Sequence, residues 1–145
     1  MAKRTQTMMH ALLGGALLLG TLSLPATGMA DDKAKMVIQV SDNDSGKWNL
    51  ALNNAKNIQK DVGKDNVDIE IVAYGPGIGM LKAESEVANR IGEAVDSGVK
   101  VMACENTMRN QKLDKADMNA KIGYVSSGVV EIMQRQQRGY AYLRP

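Results

Sequence analysis

Cysteine is almost missing from this chain: Cys104 is the only one in 145 residues, phenylalanine does not occur, and tryptophan and histidine occur once each. A lone thiol rules out an internal disulfide framework, so it is buried, paired with another chain, or kept for reaction. With no phenylalanine and aromatics at 3%, the core must be built from Val, Ile, Leu, Met and Ala. No apolar run follows the one that ends at Leu24, and the formal net charge is only +2.

The first thirty residues stand apart. Lys3 and Arg4 form a positive start, Ala11 to Leu24 is an apolar stretch, Pro25 interrupts it, and Gly28-Met29-Ala30 supplies the small residues of a cleavage site. We expect residues 1–30 to be a secretory signal peptide and residues 31–145 a single domain, periplasmic after export. The apolar stretch is short for a membrane span, which needs about 20 residues, so no stable membrane anchor is expected after cleavage. Cleavage removes two of the 18 basic residues and none of the 16 acidic ones, leaving 16 of each sign. Such a balance gives no footprint for nucleic acid. His10 leaves with the same segment, which excludes Ser-His, Cys-His and His-metal mechanisms. No cofactor and no metal are implied.

What remains alternates regularly. Met36 to Val40 is a short β-branched run bounded by the turn-formers Ser41 to Gly46, and reads as a buried strand. Leu50, Ala51, Ala55 and Ile58 recur at helical spacing between Trp48 and Lys60, with Gly63 as the stop. In Val67 to Tyr74, Val67, Ile69 and Ile71 alternate with Asp68 and Glu70, which predicts a second strand nearer an edge. Gly75-Pro76-Gly77-Ile78-Gly79 predicts a tight turn. A helix is expected over about Ala83 to Asp96, a third strand over Val99 to Cys104, and a turn or two of helix over Asn106 to Lys112. Ile122 to Val125 gives a fourth strand. Ser126 and Ser127 offer an N-cap for a helix carrying Val129, Val130, Ile132 and Met133; Gly139 ends it, and Tyr140 to Leu143 is a fifth strand. Connections this long between strands predict an α/β fold of three α/β/α layers around a mainly parallel sheet of about five strands.

In such a sheet, ligands bind beyond the carboxyl ends of the strands. Cys104 ends its strand, and the next helix starts just after it, where backbone N–H groups favour a thiolate. Free cysteine also packs as a small hydrophobe, and position alone does not separate the two roles. Asn106 and Thr107 offer hydrogen bonds to a sulfur atom or caps for the following helix. Asp42-Asn43-Asp44-Ser45-Gly46 begins like a calcium loop, but the twelfth position is Asn53 rather than Glu, and the match is rejected. Gln134 to Arg138 reads as a solvated helix face, and Trp48 as a core anchor.

Cys-Glu-Asn-Thr-Met at Cys104 to Met108, followed by the segment from Ser126 to Pro145, resembles the DsrE/DsrF-like family; the strand, loop and Trp48 at the start and the Tyr74-Gly75 turn are similar too. The resemblance implies a small α/β/α protein assembling as a homotrimer or homohexamer. It also implies sulfur carried as a persulfide on a cysteine after the third strand, the position of Cys104. Asp42, Tyr74, Asn106, Thr107 and Ser127 are then the candidate pocket residues, with sulfur-donor and sulfur-acceptor proteins as partners. The best-known carriers of the family are cytoplasmic, whereas this chain opens with an export segment. With no acid-base pair in sight, a sulfur carrier or sulfurtransferase-like protein is expected rather than a turnover enzyme. The alternatives are a non-catalytic binding module for a small ligand or a protein, in which Cys104 only packs, and a purely structural interaction protein.

Overall fold

The computed structural model describes residues 33–145; the expected signal peptide and its cleavage point lie outside the described residues. Strand β1 is Ala34–Val40, buried from Val37 onward. Helix α1, Ser45–Val62, starts earlier than its apolar spacing predicts, because the Asp44 side chain accepts the Lys47 amide at 3.1 Å and so caps it. It buries Trp48, Ala51, Leu52 and Ala55 and stops at Gly63, whose φ of 95° suits only a residue without a Cβ. Strand β2, Val67–Ala73, runs into a 3-10 segment, Gly75–Leu81, where a looser tight turn was expected.

Helix α2 is Ala88–Asp96, five residues shorter at its start than predicted. Residues 81–83 spend their backbone hydrogen bonds on the loop before the fourth strand: Ala83 N–H donates to Asp117 at 2.9 Å, and Asn119 N–H donates to Leu81 at 2.8 Å. A chain paired in that way cannot close helical turns. Strand β3 (Lys100–Cys104), helix α3 (Glu105–Asn110), strand β4 (Gly123–Val125), helix α4 (Gly128–Gln137) and strand β5 (Ala141–Leu143) complete the alternation. Ser127 occupies the N-cap position of α4, but its hydroxyl makes no capping bond, contrary to expectation.

The sheet has the order β4-β3-β2-β1-β5 and every pairing is parallel. Strand β2 is therefore the middle strand, not one near an edge. Its alternation separates two cores rather than core from water. Val67, Ile69, Ile71 and Ala73 join the larger core with α1 and α2; Val72 joins Val37, Ile132 and Tyr140 beneath α4. Asp68 and Glu70 share that second face, and Glu70 is fully buried. Arg135, expected on a solvated helix face, points inward to it, with Nη2 2.7 Å from Glu70 Oε2.

Because all strands run the same way, their carboxyl ends lie together. Asp42, Tyr74, Cys104 and Ser127 all follow or end a strand at that edge.

Candidate functional site: the thiol at the end of β3

Cys104 is the last residue of β3 and the N-cap of α3. Its Sγ receives the Gly128 amide, the first of α4, at 3.2 Å. The start of α4 thus offers the sulfur an N–H group that its own helix leaves unpaired, while at the start of α3 the Asn106 amide donates to the Ser126 carbonyl at 3.2 Å. Burial alone pushes the Cys104 thiol up. The Thr107 hydroxyl, the Thr107 amide, the Gly128 amide and the Asn106 amide outweigh burial, and the thiol is held below its ordinary value. The thiol is buried, with the residue 4% exposed.

Thr107 is in contact with the sulfur, but it does not cap α3. It is buried, and its Oγ1 accepts the Gly75 amide at 2.9 Å, tying the end of β2 to the first turn of α3. Asn106 contributes through its backbone; its side chain is exposed and accepts from Arg109, which occupies that guanidinium away from the thiol. Tyr74 reaches the site through packing. A Cβ built on Gly128 would lie 3.0 Å from Tyr74 Cβ and 3.1 Å from its Cδ1, so the bare glycine is what lets the Gly128 amide approach the sulfur. Burial, with Tyr142 next in weight, pushes the Tyr74 hydroxyl up.

Asp42 is one residue set further out. Lys47 at 3.2 Å and Arg144 at 3.3 Å bracket its carboxylate, and Lys47 above all holds it below the usual carboxylate range. Its carbonyl accepts the Trp48 indole N–H at 2.8 Å, which fixes the loop after β1 and makes Trp48 the core anchor expected. Ser127 lines a groove with Glu105, Tyr124, Val130 and Glu131, which Cys104 itself does not line. Cys104, Thr107, Asn106 and Tyr74 are therefore gathered at one point, with Ser127 beside it, whereas the contacts of Asp42 are to Lys47, Arg144 and Trp48. Gly75 and Gly128 are the participants that residue type could not reveal, because their contribution is a backbone N–H.

Among the described residues no group of His, Cys, Asp and Glu is placed to hold a metal ion, and no helix is long and apolar enough to cross a membrane. A groove between α1 and α2, lined by Leu52, Lys56, Gln59 and Arg90, shares no residue with the thiol's surroundings.

A parallel α/β/α sheet with one thiol at the end of its third strand, held by the amide that opens the fourth helix, defines a class of small strand-end cysteine proteins. The chain matches the profile of the DsrE/DsrF-like family over residues 34–145, and it belongs to that family. A protein of unknown function from Methanobacterium thermoautotrophicum is similar at 34% identity and a TM-score of 0.74, over 78% of this chain and 100% of that one. A conserved protein of unknown function from Bacteroides thetaiotaomicron has 19% identity and a TM-score of 0.64, over 80% and 97%. The ychN protein of E. coli has 12% identity and a TM-score of 0.62, over 79% and 99%. The last two resemble this chain in fold alone. No curated protein matches it.

Proposed function

We propose that this protein is an exported, periplasmic member of its family that takes up sulfane sulfur as a persulfide on Cys104 and passes it to an acceptor thiol. The observation that carries the reading is the Gly128 amide donating to Cys104 Sγ at 3.2 Å at the end of β3, with Thr107 beside it, in surroundings that hold the thiol below its ordinary value. Family membership supports a sulfur-relay role. Thiolate, not thiol, is the attacking species, and lowering its pKa removes the need for a base histidine. In the loading step, the Cys104 thiolate attacks the outer sulfur of a donor persulfide. A new S–S bond forms on Cys104, the donor's S–S bond breaks, and the donor leaves as a thiolate; an acceptor thiolate reverses the exchange. The same amide then faces the added sulfur's charge.

Export rests on the pattern of residues 1–30. Assembly as a homotrimer or homohexamer is supported by Val129, Val130 and Met133, which leave an exposed apolar strip on α4, and by Tyr142, exposed on β5.

Intact-mass spectrometry after incubation with polysulfide tests the reading. A reductant-reversible gain of about 32 Da that is absent in Cys104→Ser is expected. No gain, with Cys104 also inert to alkylation in the folded protein, overturns it. The low exposure of Cys104 favours a second reading, a non-covalent binding module in which the thiol packs; that reading predicts unchanged ligand binding in Cys104→Ser.

A further inference from the structure

Glu70 is fully buried on the middle strand, with Val37 of β1 and Lys100 of β3 as its register neighbours. Arg135 Nη2 lies 2.7 Å from Glu70 Oε2 but off the line of its N–H bonds, so neither oxygen of Glu70 accepts a hydrogen bond. These two are the only buried side-chain N or O atoms in that condition among the described residues. Arg135 is shared: its Nε bonds Glu131 Oε1 at 2.7 Å, and its guanidinium lies over the Tyr140 ring at 5.2 Å. The remaining charges on this face are already paired or further out. Asp68 takes the Tyr140 hydroxyl at 2.6 Å and Lys100 at 3.1 Å; from β1, Lys35 stands in register with Asp68, and Gln39 holds the Tyr142 hydroxyl at 2.6 Å.

We propose that Glu70 and Arg135 are positioning residues for Cys104: they anchor one end of α4 to β2, and α4, as a rigid strut, holds the Gly128 amide on the sulfur at its other end. The lengths agree. Gly128 to Arg135 spans about 10 Å of helix at 1.5 Å per residue, and Glu70 to Tyr74 about 13 Å of strand at 3.3 Å per residue. Tyr74 abuts Gly128 while Glu70 meets Arg135, so the two ends of the helix rest on β2 and on the residue that follows it. The anchor has two states. An ionised Glu70 draws Arg135 to the sheet; a protonated Glu70 leaves Arg135 to Glu131. Burial, assisted by Glu131 and opposed by Arg135, pushes the Glu70 carboxyl up to about 7. The inference concerns the ionisation of the thiol and goes beyond the proposed sulfur relay, which it does not require.

Sign separates the strut from a plain electric field. Glu70 is about 13 Å of strand from the thiol by the register of Lys100, and its negative charge acting through space would disfavour the thiolate. Acting through the strut, the same charge favours the thiolate.

The test titrates the thiolate by ultraviolet absorbance, and follows its alkylation, in the full chain and in Glu70→Gln and Arg135→Met, with Cys104→Ser as blank. The wild-type curve is expected to show a second inflection at about 7, with alkylation changing roughly three- to thirtyfold across it. Both variants are expected to lose that inflection and to ionise the thiol at higher pH. A single-step wild-type curve, a variant curve identical to wild type, or a shift to lower pH in Glu70→Gln overturns the proposal. If Glu70→Gln does not fold, Arg135→Met and the wild-type curve decide. Sulfur loading is not read in this experiment, so its outcome is independent of the persulfide reading.

Discussion

Thr107 Oγ1 accepts the Gly75 amide at 2.9 Å, joining residues 32 positions apart at the ends of β2 and β3. The hydroxyl keeps its own proton, and its proximity to Cys104 is among the causes that hold the thiol below its ordinary value. One side chain therefore closes the loop after β2 and acidifies the thiol at the end of β3.

Replacing Thr107 by Val keeps the shape and removes the hydroxyl. The Cys104 pKa is expected to rise, and folding stability to fall by about 1–3 kcal/mol as the Gly75 amide loses its acceptor. Thr107→Ser should restore most of both. Thiolate absorbance and urea unfolding read the two effects; an unchanged thiol titration in Thr107→Val would remove the hydroxyl from the account.

Gly77 has no room for a side chain. A Cβ there would fall 2.3 Å from the Val40 carbonyl oxygen and 2.9 Å from Ser41 Cα, both backbone atoms. Gly77→Ala must displace the 3-10 segment from β1, at a cost of about 1–3 kcal/mol. The urea midpoint is expected to drop accordingly, and a wild-type midpoint would contradict the close approach.

Glu70 gives stability a pH dependence of unusual sign. The unfolded carboxyl ionises near 4.5 and the folded one at about 7, so between those values the folded state holds the extra proton. Its contribution is complete below the lower value and is lost as pH rises through the higher one, on the order of 3 kcal/mol in all at about 1.4 kcal/mol per unit. Relative to wild type, Glu70→Gln should gain stability steadily from about pH 5 to pH 8. Parallel stability curves for the two proteins would show that Glu70 does not titrate in that range.

Asp68 works in the opposite direction. The Tyr140 hydroxyl, ahead of Lys100, holds its carboxyl below the usual range, so this stabilisation is present above the unfolded pKa and fades as pH falls through the folded one. Tyr140→Phe is expected to lose about 0.5–1.5 kcal/mol at neutral pH and much less in acid. A loss that persists undiminished in acid would assign it to packing of the ring.

The alternation of elements was legible because each strand is short, β-branched and flanked by turn-formers, and because Gly63, Gly98 and Gly139 all adopt the positive φ that their positions after helices imply. Cys104 was legible as a strand-end thiol for the same local reason. Strand order was not, since it depends on which side each crossover takes, and the charges of Asp68 and Glu70 make β2 read as nearer an edge than it is. That alternation marks a face in contact with polar partners, and local pattern does not distinguish water from Arg135 and Tyr140. The three long-range contacts that sequence could not reveal join Gly75 to Thr107, Gly128 to Cys104, and, as an ion pair, Glu70 to Arg135. Each links residues far apart in the chain, and two depend on a glycine amide, a group every residue but proline carries.

The placement of β5 beside β1 also fixes an order of events in folding. Met36 to Ile38 pair with Ala141 to Leu143, and the Tyr142 hydroxyl donates to the Gln39 side-chain Oε1 across 103 positions. Until those downstream residues arrive, one edge of β1 is an open row of unpaired amides and carbonyls. Pairing over such a span forms late, since loop closure must precede any gain from the contact. A chain emerging from the ribosome thus lacks the fifth strand of its sheet until residues 141–143 have been made.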